Sequence, residues 1–248
     1  MIRARHRPTP PPQGGYWALR SFARIATLTA WLSVALLAPA ADPPEIVATN
    51  RSVASFRPEF QVEPIAPASI EKMRGISWHE GCPVPREDLR QLKLSYWDFN
   101  QKPAPGILIV HKDVAAEVAE IFRDLFQHGF LIERMAPIEN YNGSDDASMA
   151  ANNTSAFNCR DVTGQPGNFS NHSWGRAIDI NPLTNPYVKG DTVLPPESRQ
   201  YLDRARAFPG SILGGSFIVK RFQRSGWTWG GAWTDRTDYQ HFEKPALK

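Results

Sequence analysis

Ser170-Asn171-His172-Ser173-Trp174-Gly175-Arg176-Ala177-Ile178-Asp179 is the stretch on which the reading of this chain turns. It ends in an alternating run, Ala177-Ile178-Asp179-Ile180. As a strand, that run points Asp179 into a cleft and Ile178 and Ile180 into a core. Gly175 and small Ala177 permit a close backbone approach beside His172. Far downstream stands Asp238-Tyr239-Gln240-His241-Phe242-Glu243. Together the two stretches offer two imidazoles, His172 and His241, and one carboxylate, Asp179. A catalytic zinc takes three such ligands and keeps a fourth position for water. Asp238, three residues before His241, is near enough to accept a proton from that water without ligating. Spacing alone leaves the matter open, because His and Asp seven apart arise by chance and His-Glu-x-x-His is absent.

Around this centre the elements mix. Gly106–His111 is a short apolar run that reads as a buried strand. Asp113 can cap a helix whose stripe is Val114, Val118, Ile121 and Leu125, widened by Phe122 and Phe126 and stopped at Gly129. Phe130–Met135 reads as another strand. A second helix is expected around Pro195–Phe208, and a third, capped by Ser216, over Phe217–Arg224. Residues 139–171 are polar and aperiodic, a length of irregular chain that compact domains usually reserve for function. Trp227–Glu243 is aromatic and strand-like. Strands mixed with segregated helices indicate an α+β fold. With 22 Pro and 17 Gly in 248 residues, a helical bundle or coiled coil is excluded.

The N-terminus differs in kind. Residues 1–40 carry five Arg and no acid, and 25–40 are uncharged and apolar, ending Ala38-Pro39-Ala40. This is the build of an export signal cleaved after Ala40, or of a short uncleaved anchor. Residues 41–72, rich in Pro, read as a linker or surface-hugging arm, and the domain is expected over 73–248. Without the signal the chain sums to −2, so a nucleic-acid surface is not expected. Any membrane contact is expected only through an uncleaved N-terminus. The location expected is the periplasm, cell wall or extracellular space. There, Cys82 and Cys159 favour a disulfide over two buried thiols. It closes a loop worth ~4.5 kcal/mol in the chain-entropy view.

The ordered pattern Ser-x-His-x-x-Gly-x-Ala-x-Asp, then Asp-x-x-His-Phe-Glu, resembles the M15 zinc peptidases. These include VanY-type D-alanyl-D-alanine carboxypeptidases, VanX dipeptidases and L-alanyl-D-glutamate endopeptidases. Asn158-Cys159-Arg160, Asn181-Pro182 and Gly226–Gly231 extend the likeness over about residues 73–244. The resemblance implies a small antiparallel sheet with flanking helices, hedgehog/DD-peptidase-like. It implies Zn²⁺ held by His172, Asp179 and His241, with Asp238 as general base. Arg160 would bind substrate or offset the charge of attack, a role worth ~3 kcal/mol, and Ser170 would contact substrate. Asp rather than Glu as base leans toward the endopeptidase-like branch. The implied substrate is a peptidoglycan stem peptide, cut by a monomer. The alternative is a non-catalytic zinc-containing cell-wall-binding module of the same fold. Trp227, Trp229 and Trp233 are expected mostly in the core, and Arg176 at the surface.

Overall fold

The computed structural model describes residues 56–162 and 165–245, all within the unit Pro39–Lys248. The export signal expected over 1–40 lies outside the described residues. Among those described, no helix is long and apolar enough to cross a membrane.

In chain order the elements begin with β1 (Phe60–Pro64), α1 (Pro67–Met73), β2 (Leu89–Trp97), β3 (Pro103–His111) and α2 (Lys112–Gln127). Next come β4 (Arg134–Met135), α3 (Asp145–Ala150), β5 (Asn153–Thr154), β6 (Asp161–Val162) and β7 (Gln165–Phe169). The last are β8 (Ala177–Asp179), β9 (Tyr187–Lys189), β10 (Thr192–Leu194), α4 (Phe217–Arg224), β11 (Thr228–Trp229), β12 (Thr237–Asp238) and β13 (His241–Glu243). The fold is α+β, with small antiparallel sheets and few helices.

The first sheet, β1-β2-β3, is antiparallel throughout. Its two faces bury different things, as period-2 alternation requires. Leu92, Leu94, Leu108 and Val110 join the apolar stripe of α2 in the main core. Leu89 and Ile109, on the other face, meet Ile65, Met73, Phe157 and Cys159 in a second cluster. That cluster is closed covalently by the Cys82–Cys159 disulfide, whose Cα atoms stand 5.9 Å apart. β1 pairs with β2 over five residues. The folded region therefore begins ahead of Met73, and part of the Pro-rich arm is strand and helix.

Four local expectations are corrected. Helix α2 is capped by His111, whose ring accepts the Asp113 N–H at 3.2 Å; Asp113 lies inside the helix. Phe130–Met135 forms only a bridge from Leu131 to Trp97 and the two residues of β4. Its backbone is engaged by the Asn181 amide, which accepts from Glu133 N–H and donates to Leu131 C=O. Pro195–Phe208 yields only a 3-10 turn, Pro196–Tyr201. There the half-buried Arg204 guanidinium takes the Tyr201 carbonyl that a longer helix would use. Ser216 does precede α4, but its hydroxyl makes no capping bond.

The second sheet, β11-β13-β8, fixes the site. β13 runs antiparallel to β8 with His241 opposite Asp179, Phe242 opposite Ile178 and Glu243 opposite Ala177. Opposed residues share a face. Ile178 and Phe242 therefore go to the core, where Phe242 stacks on Phe222 at 4.0 Å. Asp179 and His241 are left together on the other face. The third sheet, β10-β9-β12, brings Asp238 opposite Tyr187.

Candidate metal centre

His172 lies in a 3-10 turn, Asn171–Trp174, that the sequence builds from both ends. Ser170 Oγ caps it by accepting the His172 N–H at 3.3 Å. Gly175 ends it in the left-handed region at φ +63°. A Cβ on Gly175 would lie 2.6 Å from the His111 backbone nitrogen, so the glycine serves the junction with β3 and not the site as expected. Ser173 Oγ donates to the Arg160 carbonyl at 2.6 Å and ties the turn to the preceding segment.

Both imidazoles have one nitrogen committed and one turned inward. His172 Nδ1 is 2.6 Å from the Ala156 carbonyl, which can only accept, so that nitrogen carries the hydrogen. His241 Nε2 is 3.0 Å from Glu243 Oε2, itself held by Asn171 Nδ2 at 2.6 Å. The free atoms are then His172 Nε2 and His241 Nδ1, 3.3 Å apart. Asp179 closes the triangle, with Oδ1 at 2.9 Å from His241 Nδ1 and Oδ2 at 3.2 Å from His172 Nε2. All three residues are largely buried.

This donor set fits a small divalent cation. A tetrahedral ion with bonds of about 2.0–2.1 Å spaces its ligands about 3.3 Å apart. The two imidazole nitrogens stand 3.3 Å apart with a carboxylate oxygen of Asp179 beside each, at 2.9 and 3.2 Å, so one ligand atom from each residue can reach a shared ion. Two imidazole lone pairs and a carboxylate buried at this separation repel one another unless a proton or a cation stands between them. The electrostatics agree. Burial alone raises the Asp179 carboxyl, but the charges and hydrogen bonds of His172 and His241 outweigh it and hold the group well below the usual carboxylate range. Burial lowers His241, yet the hydrogen bonds of Asp179 and Glu243 raise it to about 10. Two imidazoles and a carboxylate, with no thiolate, are a set typical of catalytic zinc.

Asp238 faces this group. Burial, with help from the Asp179 charge, pushes its carboxyl up to about 6, against the pull of the His241 and His172 imidazoles. Its Oδ1 is sealed from solvent without a hydrogen-bond partner. A buried orphan oxygen of this kind needs an explanation, and a proton in transit is one. Gly230 lets it come close: a Cβ there would lie 2.7 Å from the Asp238 carbonyl oxygen and 3.3 Å from His241 Cβ.

The remaining expectations fare differently. The Arg160 guanidinium is ion-paired with Asp145 at the start of α3 and donates to the Asp161 carbonyl. Among the described residues its guanidinium makes no hydrogen bond or ion pair to His172, Asp179 or His241. The Ser170 hydroxyl accepts the His172 N–H. Arg176 is not a loose surface charge: its side chain is 11% exposed and pairs with Asp113. Trp227 and Trp229 are core, but Trp233 is half-buried against the His241 ring at 5.4 Å. Trp174, beside His172, is exposed. His79 gathers with Cys82 and Cys159, whose sulfurs are taken by the disulfide. Sequence reasoning missed Asn171 and Ala156 as the partners that orient the imidazoles. Asn171 is adjacent to His172 and carried a usable signal; a backbone carbonyl carries none.

Residues 163–244 match the family model described as D-alanyl-D-alanine carboxypeptidase, of the M15 peptidases. The match contains His172, Asp179, Asp238 and His241. It excludes Arg160 and the disulfide, and is narrower than the likeness expected over 73–244. No curated protein matches the chain, and no solved structure does.

Proposed function

We propose, on the premise that residues 163–244 are those of an M15-family peptidase, that the chain is a zinc-dependent hydrolase of amide bonds in peptidoglycan stem peptides, acting outside the cytoplasm. The observation that carries this reading is the triangle of His172 Nε2, His241 Nδ1 and Asp179, with Asp238 Oδ1 unpartnered beside it. His172, Asp179 and His241 would hold the cation, which when bound would supply Lewis acidity toward the scissile carbonyl and toward water. Asp238 takes the proton of the attacking water and passes it to the departing amine. Its raised carboxyl suits both halves of that task, since the group must accept and then release. Glu243, Asn171 and the Ala156 carbonyl hold the imidazoles in the required tautomers. Trp233 walls one side.

An enzyme is favoured over a metal-containing binding module by Asp238, since a structural ion needs four closed ligands and no buried orphan carboxylate. Digestion of defined muropeptides, with and without chelator, tests the proposal. Release of D-alanine marks a carboxypeptidase, and cleavage at L-Ala-γ-D-Glu an endopeptidase. Zinc binding with no cleavage of any wall substrate favours the module.

A further inference from the structure

Both substrate types share one chemical feature. The residue that leaves after cleavage carries a free carboxylate beside the scissile amide: the C-terminus of D-Ala-D-Ala, or the α-carboxylate of γ-linked D-Glu. A site with three acids of its own, Asp179, Asp238 and Glu243, needs a cation to receive it. Arg160, expected to do this, is paired with Asp145. Arg176 is paired with Asp113, and Lys244 with Glu117. Both terminal nitrogens of Arg204 are held by carbonyls and Asn185, and its Nε is sealed from solvent.

Arg236 is different. It lies two residues before Asp238, immediately ahead of β12. β12 pairs with β9 through Thr237 to Val188 and Asp238 to Tyr187. The Arg236 guanidinium lies on the Trp233 ring, 4.5 Å from its centroid, and the same ring lies 5.4 Å from His241. Arg236 is therefore no farther from His241 than those two spacings laid end to end. Stacking fixes the plane of the guanidinium while leaving its N–H edge available. Among the described residues its ion-pair partner is the adjacent Asp235, 63% exposed, an arrangement that holds it weakly.

We infer that Arg236, oriented by Trp233, is the residue that recognises the substrate carboxylate on the leaving-group side of the scissile bond. This deepens the proposed function and rests on it. A planar guanidinium suits a carboxylate by paired hydrogen bonds, each charge-assisted.

The test uses two pairs of peptides: diacetyl-L-Lys-D-Ala-D-Ala and its C-terminal amide, and L-Ala-γ-D-Glu and L-Ala-γ-D-isoglutamine within a stem peptide. With the zinc-loaded chain, Arg236→Gln is expected to raise KM about 10- to 100-fold for one acid, the range of a lost hydrogen bond to a charged group. It leaves kcat within a few-fold and leaves the matching amide unchanged. Arg236→Lys recovers part of the loss. The pair that responds names the source of the carboxylate. Equilibrium binding of the same peptides to the chelated chain, in which turnover stops, gives a readout independent of hydrolysis. Wild type is expected to prefer the acid, and Arg236→Gln to lose that preference. Equal acid-over-amide preference in both proteins, or none in wild type, overturns the assignment of Arg236. Failure of wild type to cleave any of the four peptides counts instead against the proposed function, and the binding arm still decides Arg236.

Discussion

Glu243 Oε2 stands 3.0 Å from His241 Nε2, on the side of the ring away from Asp179. The two residues are two apart on β13, so they lie on one face of the strand. The contact fixes which nitrogen of His241 is free. It also extends to Asn171, the neighbour of His172, so one carboxylate couples the turn to the strand. Removing it should loosen both imidazoles. Glu243→Ala is expected to weaken zinc binding about 10- to 100-fold, the range for partners of metal-ligating histidines. Competition with a calibrated chelator measures it. Glu243→Gln keeps an acceptor and should lose less.

Asp238→Asn preserves shape and removes the proton acceptor. Zinc content should stay at the wild-type level while turnover falls about 10²- to 10⁴-fold, the usual contribution of general acid–base catalysis. Metal analysis and muropeptide digestion on the same preparation check both halves. Normal digestion by the variant would remove Asp238 from the mechanism.

His111 gives the fold an acid-sensitive joint away from the metal centre. Burial holds its ring below the ordinary value of 6.5, with Arg176 adding to the effect and Asp113 opposing it. The folded state therefore favours the neutral ring, which must accept the Asp113 N–H. For a base with a depressed value, the stabilisation is complete above the unfolded value and is lost as pH falls toward the folded one. Stability should decline below about pH 6.5 for this reason. His111→Asn keeps an acceptor at the helix start and does not titrate. The difference in melting temperature between the two proteins, followed from pH 7.5 to 5, isolates this ring, and should shift in favour of the variant on acidification.

The disulfide should matter to the site as well as to stability. Cys159 follows Asn158, whose N–H donates to the His172 carbonyl at 3.3 Å, and precedes Arg160, whose carbonyl takes the Ser173 hydroxyl. Replacing both cysteines by serine is expected to cost about 2–5 kcal/mol by denaturant unfolding, as for native disulfides in small secreted domains. Zinc affinity should fall with it.

Legibility followed the physics of each element. The core strand ending at His111, helix α2 and the alternation about Asp179 were readable because each has a clear apolar period. The metal triangle was readable only as a pattern, because register between β8 and β13, and not sequence spacing, brings Asp179 and His241 together. β2 was missed: Arg90 and Lys93 interrupt a strand whose two faces enter two different cores. The strand expected from Phe130 and the helix expected from Pro195 dissolved because single side chains, the buried Asn181 and the half-buried Arg204, take the backbone groups those elements require. Arg160 was assigned a substrate role by likeness alone. Asp145, its actual partner, sits on a short helix that has no periodic signature.

The central claim is that His172, Asp179 and His241 hold one divalent ion through two nitrogens and a carboxylate. The most direct measurement is zinc content with X-ray absorption at the zinc edge, on the chain purified from metal-replete medium. The account predicts one zinc per chain, about four light-atom ligands near 2.0–2.1 Å with two imidazoles among them, and loss of the metal in His241→Ala. A chain that carries no zinc, or a zinc whose spectrum lacks imidazole and persists in His241→Ala, would contradict it.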